Sequence, residues 1–312
     1  MLRGRGWLRW RGSPARPLLL ALVLAGSLLL GGSSGTALGA APGPYVALGD
    51  SYTAGPLIPN QAGDPALCFR SDHDYPALLA QTLRPAAVRD VSCSGASTAS
   101  MTQPQPLLSH SAPLGHNPPQ FDALARDVAT VTVQIGGNDL GFGDLALTCL
   151  SLGLLDPAGA PCRQRYAAGG VDQNAATTDA IAPRIAAVLQ GIHARAPRAR
   201  VLLVGYPDIL PTSGPGCYPL VPIAAGDVPY LNGVELGLNR MLAAQAAANR
   251  ATFVDTYTPS AGHDVCQAPG VKWVEGVIPT AAGFSLHPNE LGMQAVAGEV
   301  AGVLQARAVP ET

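Results

Sequence analysis

Four short segments of the sequence carry side chains that suit nucleophilic catalysis at a carbonyl group. In the first, Gly49-Asp50-Ser51, the glycine permits the sharp turn and close backbone approach by which a serine hydroxyl is presented to a substrate. In the second, Pro288 biases His287 away from helical geometry, and imidazole is the side chain best suited to accept a serine proton near neutral pH. A serine and a histidine brought together in this way would catalyse acyl transfer.

The other two segments offer hydrogen-bond donors. Gly95 lies in the segment 92–97, where its backbone N–H is available to an oxyanion, and Asn138 follows the pair Gly136-Gly137, where its side-chain amide can point into the same space. Donors fixed where negative charge develops contribute about 3 kcal/mol each to the transition state. Each segment alone is equally compatible with a plain turn or a cap, but the four together favour a serine hydrolase.

The elements that must position these residues form an alternating pattern. Short β-rich runs are predicted at 45–48, 87–91, 129–135, 199–204 and 251–254. Helices are predicted at 75–83, 174–195, 230–249 and 290–306. Apolar strands that can be buried on both faces, alternating with helices, indicate an α/β layered fold with a mainly parallel sheet.

Three of the four segments directly follow predicted strands, and the fourth directly precedes the last helix. Ligands of such sheets bind beyond the carboxyl ends of the strands, so we expect the four segments to converge there. The proline-rich segment 103–120 is predicted to be an ordered loop, and 205–229 a long loop. With no internal repeat or second composition regime, residues 42–312 are predicted to form a single hydrolase domain.

Residues 1–41 have the three parts of a secretory signal peptide. An arginine-rich start leads into an uncharged apolar run of 13 residues, 18–30, which small residues follow at 31–41. A membrane-spanning helix needs about 20 apolar residues, so we predict cleavage near Ala40 or Ala41 and no stable membrane span afterwards. The alternative is an uncleaved anchor, in which a tilted helix also uses residues 31–38.

Charge separates the two parts of the chain. The formal charge of the 312 residues is −2, but five of the 19 basic residues precede residue 40 and no acidic residue does. The remainder carries 14 basic and 21 acidic residues, a formal charge of −7, which gives no electrostatic reason to bind nucleic acid. Only 13% of the residues are charged and 47% are apolar, which excludes an ordinary disordered chain.

Cysteine usage agrees with export. All six cysteines lie beyond residue 41, and an even number in an exported chain indicates three disulfides, for which fifteen pairings are open. A zinc site is disfavoured because the sequence has no Cys-x-x-Cys and its histidines lack helical ligand spacing. The chemistry sketched above needs no metal and no cofactor.

With these four segments the chain resembles the GDSL or SGNH hydrolase family, in particular its secreted actinobacterial esterases and lipases. The resemblance covers nearly the whole chain after residue 41, including Gly262-His263-Asp264-Val265-Cys266 and Trp273-Val274-Glu275-Gly276. It implies that Ser51 is the nucleophile and His287 the base. It further implies that the oxyanion is held by the Ser51 N–H, the Gly95 N–H and the Asn138 side chain.

The resemblance also has implications for the fold and the disulfides. It implies a three-layer α/β sandwich around a mainly parallel five-stranded sheet with flavodoxin-like strand order. Family members with six cysteines pair them in sequence order, which would give Cys68–Cys93, Cys149–Cys162 and Cys217–Cys266. We expect the protein to be a monomer.

One position departs from the family pattern. The family usually has Asp three residues before the histidine, and here that residue is Phe284. The acidic member of a catalytic triad orients the imidazole and stabilises its charged form. Some secreted family members use a main-chain carbonyl two residues before the histidine, here that of Ser285, and we favour this arrangement. Asp255 and Asp264 remain as alternative side-chain acids.

The substrate class rests on an apolar stretch. Residues 140–155, which follow Asn138 closely, contain seven leucines and Phe142, and such a stretch either walls an acyl pocket or forms a buried core helix. The resemblance favours a secreted lipase or esterase acting on fatty-acyl esters. The alternatives are a phospholipase A, a carbohydrate deacetylase, or a secreted binding protein without turnover.

Overall fold

A computed structural model describes residues 43–109 and 112–306. The strands are β1 Tyr45–Gly49, β2 Val88–Asp90, β3 Gln105–Ser109, β4 Ala112–Asn117, β5 Thr130–Gln134, β6 Arg200–Val204 and β7 Thr252–Val254. Five of them form a parallel sheet of order β2-β1-β5-β6-β7, the flavodoxin-like order among doubly wound sheets. The predicted α/β class and five-stranded parallel sheet are confirmed.

The sheet is buried on both faces, as its apolar strands require. Alternate residues of β1 enter different cores: Val46 and Leu48 pack on one face, and Tyr45 and Ala47 on the other. Successive side chains of a strand point to opposite faces. A strand covered on both sides therefore favours a nearly continuous apolar run, and β1 and β6 show this pattern in the sequence. Strand β5 instead alternates threonine and valine, which are both β-branched.

Helices cover both faces of the sheet and complete three layers. The helices are α1 Ser51–Ala54, α2 Tyr75–Leu83, α3 Gly137–Leu140, α4 Phe142–Leu155, α5 Pro161–Tyr166, α6 Gln173–Arg195, α7 Val228–Ala248 and α8 Glu290–Ala306. Helices α2 and α8 contribute Leu79 and Val296 to one core, and α6 and α7 contribute Ile185 and Leu238 to the other. Helices α2 and α8 have the predicted bounds, and α6 and α7 begin one and two residues earlier than predicted.

The prediction of a loop over 103–120 was wrong. Strands β3 and β4 form an antiparallel hairpin there, with Gln105 opposite Asn117 and Pro106 opposite His116. Proline cannot donate to a β-ladder and is confined to edge positions. In a two-stranded ribbon both strands are edges, so prolines that look like loop signals are tolerated. The segment before α7, predicted as a long loop, has no strand or helix between residues 205 and 227.

Three disulfides tie loops and short helices to this framework. The bonded pairs are Cys68–Cys93, Cys149–Cys162 and Cys217–Cys266, the pairs that the family resemblance implies. The first links the approach to α2 with the end of β2, the second joins α4 to α5, and the third holds the long segment before α7. The predicted signal peptide lies outside the described residues. Within the described ranges, no helix has both the length and the apolar character needed to cross a membrane.

Candidate active site

Ser51 is the first residue of the short helix α1, two residues after the end of β1, an inner strand of the sheet. Asp50 caps this helix, because its side chain accepts a hydrogen bond from the Tyr52 N–H at 2.9 Å. Gly49 is required by close packing: a Cβ atom there would lie 2.1 Å from the Thr53 Oγ1 and 2.7 Å from the Gln134 carbonyl oxygen. The sequence therefore turns abruptly at the strand end and presents the Ser51 hydroxyl above the sheet.

His287 meets Ser51 from the loop before α8. The Ser51 Oγ lies 2.8 Å from the His287 Nε2, and the His287 Nδ1 lies 2.8 Å from the carbonyl oxygen of Ser285. A carbonyl oxygen can only accept a hydrogen bond, so Nδ1 carries the ring proton and Nε2 is left to accept the serine proton. This is the arrangement needed for a base that activates the hydroxyl.

The two alternative acids have other partners. The Asp255 carboxylate accepts the backbone N–H groups of Tyr257 and Thr258. The Asp264 carboxylate accepts from the Cys266 N–H and the Gln267 side chain. Phe284, at the position of the usual family aspartate, instead packs edge-on against the His287 ring, with 5.2 Å between ring centroids.

Three donors surround the Ser51 hydroxyl. Among the described residues, the backbone N–H groups of Ser51 and Gly95 have no acceptor. Asn138 uses one amide hydrogen to reach the Ala96 carbonyl oxygen at 2.8 Å, which leaves the second free. All three residues line one cleft together with His287. The set matches the requirement for fixed donors around a developing oxyanion.

Side-chain hydrogen bonds fix the positions of the segments that carry Gly95 and Asn138. The Gln105 Nε2 on β3 donates to the Ser94 carbonyl oxygen at 2.8 Å, and this carbonyl belongs to the same peptide group as the Gly95 N–H. Asp139 accepts from the backbone N–H and the hydroxyl of Thr98 at 2.9 and 2.5 Å, which ties α3 to the segment after Gly95. The segment predicted as a loop thus contains Gln105, a residue at the site that no sequence motif singled out.

A buried tyrosine links three elements beneath Ser51. The Tyr206 hydroxyl donates to the Asp50 Oδ2 at 2.5 Å and accepts from the Gly137 N–H at 3.0 Å. Burial raises the pKa of Asp50 to about 7, against the lowering effect of hydrogen bonds from Tyr206 and Tyr52. Tyr206 follows β6 by two residues, so the rule of looking beyond strand ends would have found it.

The histidine loop is held by its own network. The Tyr52 hydroxyl donates to the Leu286 carbonyl oxygen at 2.6 Å. The backbone of Glu275 brackets the loop, donating to the His287 carbonyl oxygen at 2.9 Å and accepting from the Leu286 N–H at 3.1 Å. The Glu275 carboxylate pairs with the Lys272 ammonium at 3.0 Å. These residues position His287 without touching a substrate.

The setting of His287 favours its neutral form. Burial of the ring lowers the pKa of His287, and the hydrogen bond to the Ser285 carbonyl only partly offsets this effect. The Tyr52 ring lies 4.8 Å from the imidazole, centroid to centroid. A neutral imidazole is the form that accepts the serine proton.

An apolar cavity of about 260 Å³ opens beside Ser51 and His287. Helix α4 contributes Phe142, Leu147 and Leu150 to its wall, while Leu145 and Cys149 of the same helix point into the core. The two interpretations of this apolar segment, pocket wall and core helix, therefore both hold. Within the described residues, no cluster of three or more His, Cys, Asp or Glu side chains could hold a metal ion.

A parallel α/β sheet that carries a Ser–His pair, fixed amide donors and an apolar cavity at its strand ends defines a carboxylic ester hydrolase of the serine type. Residues 47–295 match the GDSL-like lipase/acylhydrolase family. The chain belongs to this family, which confirms the resemblance and the predicted ester hydrolase activity.

Similar proteins of known name come from Streptomyces. The chain is 40% identical to Lipase 2 of Streptomyces coelicolor over 93% of its length and 97% of that protein. It is 31% identical to an esterase of Streptomyces scabiei over 93% of its own length and 94% of that protein. Among solved structures, it is similar to phospholipase A1 from Streptomyces albidoflavus NA297, with 28% identity, a TM-score of 0.68, and 85% and 99% of the two chains covered. An extracellular lipase from Streptomyces rimosus matches with 27% identity and a TM-score of 0.66, and the match covers 83% of this chain and 99% of the lipase.

Proposed function

We propose that this chain is a secreted esterase or lipase that hydrolyses carboxylic esters, fatty-acyl esters in particular, through an acyl-enzyme on Ser51. The observation that carries the proposal is the 2.8 Å separation of the Ser51 Oγ from a His287 Nε2 whose partner nitrogen already donates to the Ser285 carbonyl. This pairing supplies an activated hydroxyl without an acidic side chain.

In the first half of the reaction the Ser51 oxygen attacks the ester carbonyl carbon while its proton moves to the His287 Nε2. The oxyanion receives hydrogen bonds from the Ser51 N–H, the Gly95 N–H and the Asn138 amide. The tetrahedral intermediate then expels the alcohol, which takes the proton from His287. In the second half a water molecule attacks the acyl-enzyme with His287 as base, and the acid leaves as Ser51 regains its proton.

The apolar cavity supports fatty-acyl esters as substrates. Its wall includes Phe142, Leu147 and Leu150, and an acyl chain seated there would be removed from water, which is favourable by about 0.8 kcal/mol for each buried CH₂ group. The relatives named as lipases agree with this assignment. Phospholipase A activity is the second candidate, favoured by the similarity to the Streptomyces albidoflavus phospholipase A1.

Export is the third part of the proposal. Support comes from the predicted signal peptide in residues 1–41, the three disulfides, and the extracellular lipase among the similar structures. Disulfides form and persist in oxidising compartments. A culture of the source organism should therefore contain the processed chain in its medium.

A fluorophosphonate probe tests the nucleophile directly. We expect labelling of Ser51 in the folded, oxidised protein and its loss in the His287→Ala variant, because the probe reacts only with an activated serine. The Asp255→Asn variant is a matched control that should label normally. Folded wild-type protein that takes up no label would overturn the proposal.

A chain-length series of p-nitrophenyl esters tests the substrate class. We expect kcat/KM to rise from acetate toward medium chains as the cavity fills. Parallel assays on triacylglycerol and phosphatidylcholine separate lipase from phospholipase activity. A maximum at acetate would instead favour deacetylation of small or carbohydrate substrates.

A further inference from the structure

The active-site cavity contains one carboxyl group that the mechanism does not use. Glu235 lies on α7, lines the cavity together with Ser51 and His287, and is 4% exposed. Its Oε2 accepts a long hydrogen bond from the Ile209 N–H at 3.3 Å. Its Oε1 is buried and has no hydrogen-bond partner among the described residues.

Glu235 stands where two cavities adjoin. The active-site cavity and a second, smaller one of about 30 Å³ share wall residues, among them Phe142, Leu150, Ile209, Leu286 and Glu235. Apart from Glu235, the second cavity is lined by apolar side chains. A chain that extends from the ester group toward the second cavity therefore passes Glu235.

The surroundings of Glu235 favour its uncharged form. Burial raises the pKa of Glu235, and the neighbouring buried carboxyl of Asp208 raises it further. No cation pairs with Glu235 among the described residues. A neutral carboxyl carries an O–H donor, and here that donor has no acceptor among the described residues.

An unpartnered buried polar group lowers the stability of the folded protein, and such groups in native structures call for an explanation. A leucine at this position would fill the space without that cost, as Leu231 and Leu238 do one turn away on the same helix. The unpartnered carboxyl of Glu235 is explained if a polar group of the bound substrate forms the hydrogen bond that the protein does not supply. An apolar chain passing Glu235 would leave the carboxyl unpaired, whereas a chain with its own polar group would not.

We propose that Glu235 makes this enzyme selective for esters whose acyl chain carries a hydroxyl group. The inference rests on the proposed function, since it assigns the acyl chain to this cavity. A hydroxyl is the group that fits best because it accepts from a protonated carboxyl and donates to an ionised one. It therefore pairs with Glu235 in either state.

Internal competition between esters tests the proposal. Methyl decanoate is mixed with one of three hydroxylated methyl decanoates, bearing the hydroxyl near the carboxyl end, at mid-chain or at the terminus. The ratio of the two acids released gives the ratio of kcat/KM values. We expect the wild-type enzyme to prefer at least one hydroxylated isomer by about tenfold, the effect of one hydrogen bond gained at an otherwise unpaired buried group.

Two variants of similar size separate recognition from packing. Glu235→Gln keeps a donor and an acceptor, so the preference should persist. Glu235→Leu removes both, so the ratio should fall to near one, chiefly through faster hydrolysis of plain decanoate. Glu235→Met is a second apolar variant should the branched side chain not fit. A general loss of packing would change both esters alike and leave their ratio unmoved.

The outcomes distinguish this inference from the function on which it rests. Selectivity by Glu235 is overturned if the wild type and Glu235→Leu show the same preference ratio for every hydroxylated ester over methyl decanoate. It is also overturned if the wild type prefers methyl decanoate to all three hydroxylated esters. In both cases the esterase assignment stands. If the folded wild type hydrolyses none of the four esters, the proposed function fails and the selectivity fails with it.

Discussion

His287 sits in a setting without a charged partner, and this fixes the sign of its pH dependence. Burial lowers its pKa from the ordinary value of 6.5, and catalysis needs the neutral ring. We expect kcat/KM to be retained as the pH drops through 6.5 and to be lost only as it falls through the lower pKa. A pH profile of p-nitrophenyl ester hydrolysis measures this. An acid limb centred above 6.5 would contradict it.

Asp50 is the group that could confuse this profile, because its pKa is raised to about 7. It contacts Tyr52 and Tyr206 rather than the imidazole. The Asp50→Asn variant removes this titration and preserves the shape of the side chain. The acid limb should therefore remain in Asp50→Asn if His287 causes it.

The missing acid of the triad gives a second expectation at the residue scale. The Ser285 carbonyl already accepts the Nδ1 proton of His287, whereas Asp255 and Asp264 have other partners. We expect Asp255→Asn and Asp264→Asn to change kcat by about twofold or less, as for substitutions away from a site. His287→Ala should lower kcat by at least about 10²-fold. If turnover were abolished in either Asp variant while the protein stayed folded, the hypothesis of a Ser–His dyad would be contradicted.

Among the elements, the β3–β4 hairpin contacts the proposed oxyanion site through one side chain. Gln105 holds the Ser94 carbonyl, and because the Gly95 N–H lies in the same peptide plane, this bond sets the direction of the donor. We expect Gln105→Leu to lower kcat about ten- to a hundredfold with little change in KM, as for a misplaced transition-state donor. Steady-state kinetics on one ester measures both constants.

The matched control for this test is Gln103→Leu. Gln103 lies in the same segment, is exposed, and its side chain has no hydrogen bond to another described residue. It should leave both constants near their wild-type values. Equal losses of kcat in the two variants would mean that this segment tolerates no leucine, and would contradict the role given to Gln105.

The elements also explain how far the sequence could be interpreted. Strands β1 and β6 are predictable as nearly continuous apolar runs, and β5 as a run of β-branched residues, so the turns after β1 and β5 are predictable as well. Contacts between distant segments were not: Tyr206 and Asp50 are 156 residues apart, and no local pattern links them. The hairpin was missed because Pro106 and Pro113 are loop signals unless both strands are known to be edges.

For the whole molecule, buried carboxyl groups dominate the expected dependence of stability on pH. Burial raises the pKa of Asp50 and Asp208 to about 7 and raises those of Asp74, Asp90 and Glu235 as well. A carboxyl with a raised pKa in the folded state contributes stability that is fully present below its unfolded pKa and is lost as the pH rises through the folded value.

We therefore expect the free energy of unfolding to fall between about pH 4 and pH 7, by up to about 4 kcal/mol from Asp50 alone. Glu275 acts in the opposite sense: hydrogen bonds from Asn289, Thr280 and Lys272 outweigh burial and lower its pKa. The stability that Glu275 contributes is present above pH 4.5 and is lost as the pH falls through its lowered pKa. Urea unfolding at several pH values measures the sum, and stability that rises from about pH 4 to pH 7 would contradict the expectation.

The ion pair behind the histidine loop has a chemical consequence for the whole chain. Lys272 is the single lysine of the sequence, and it is 4% exposed with its ammonium 3.0 Å from a Glu275 oxygen. Because the single lysine is buried, we expect an amine-reactive ester applied to the folded protein to label mainly the α-amino group, whose ordinary pKa is about 8. If the proposed export takes place, labelling the protein recovered from the culture medium and sequencing the tagged peptide by mass spectrometry would identify the processed end, expected near Ala40 or Ala41. The same reaction would attach a fluorophore at one defined position.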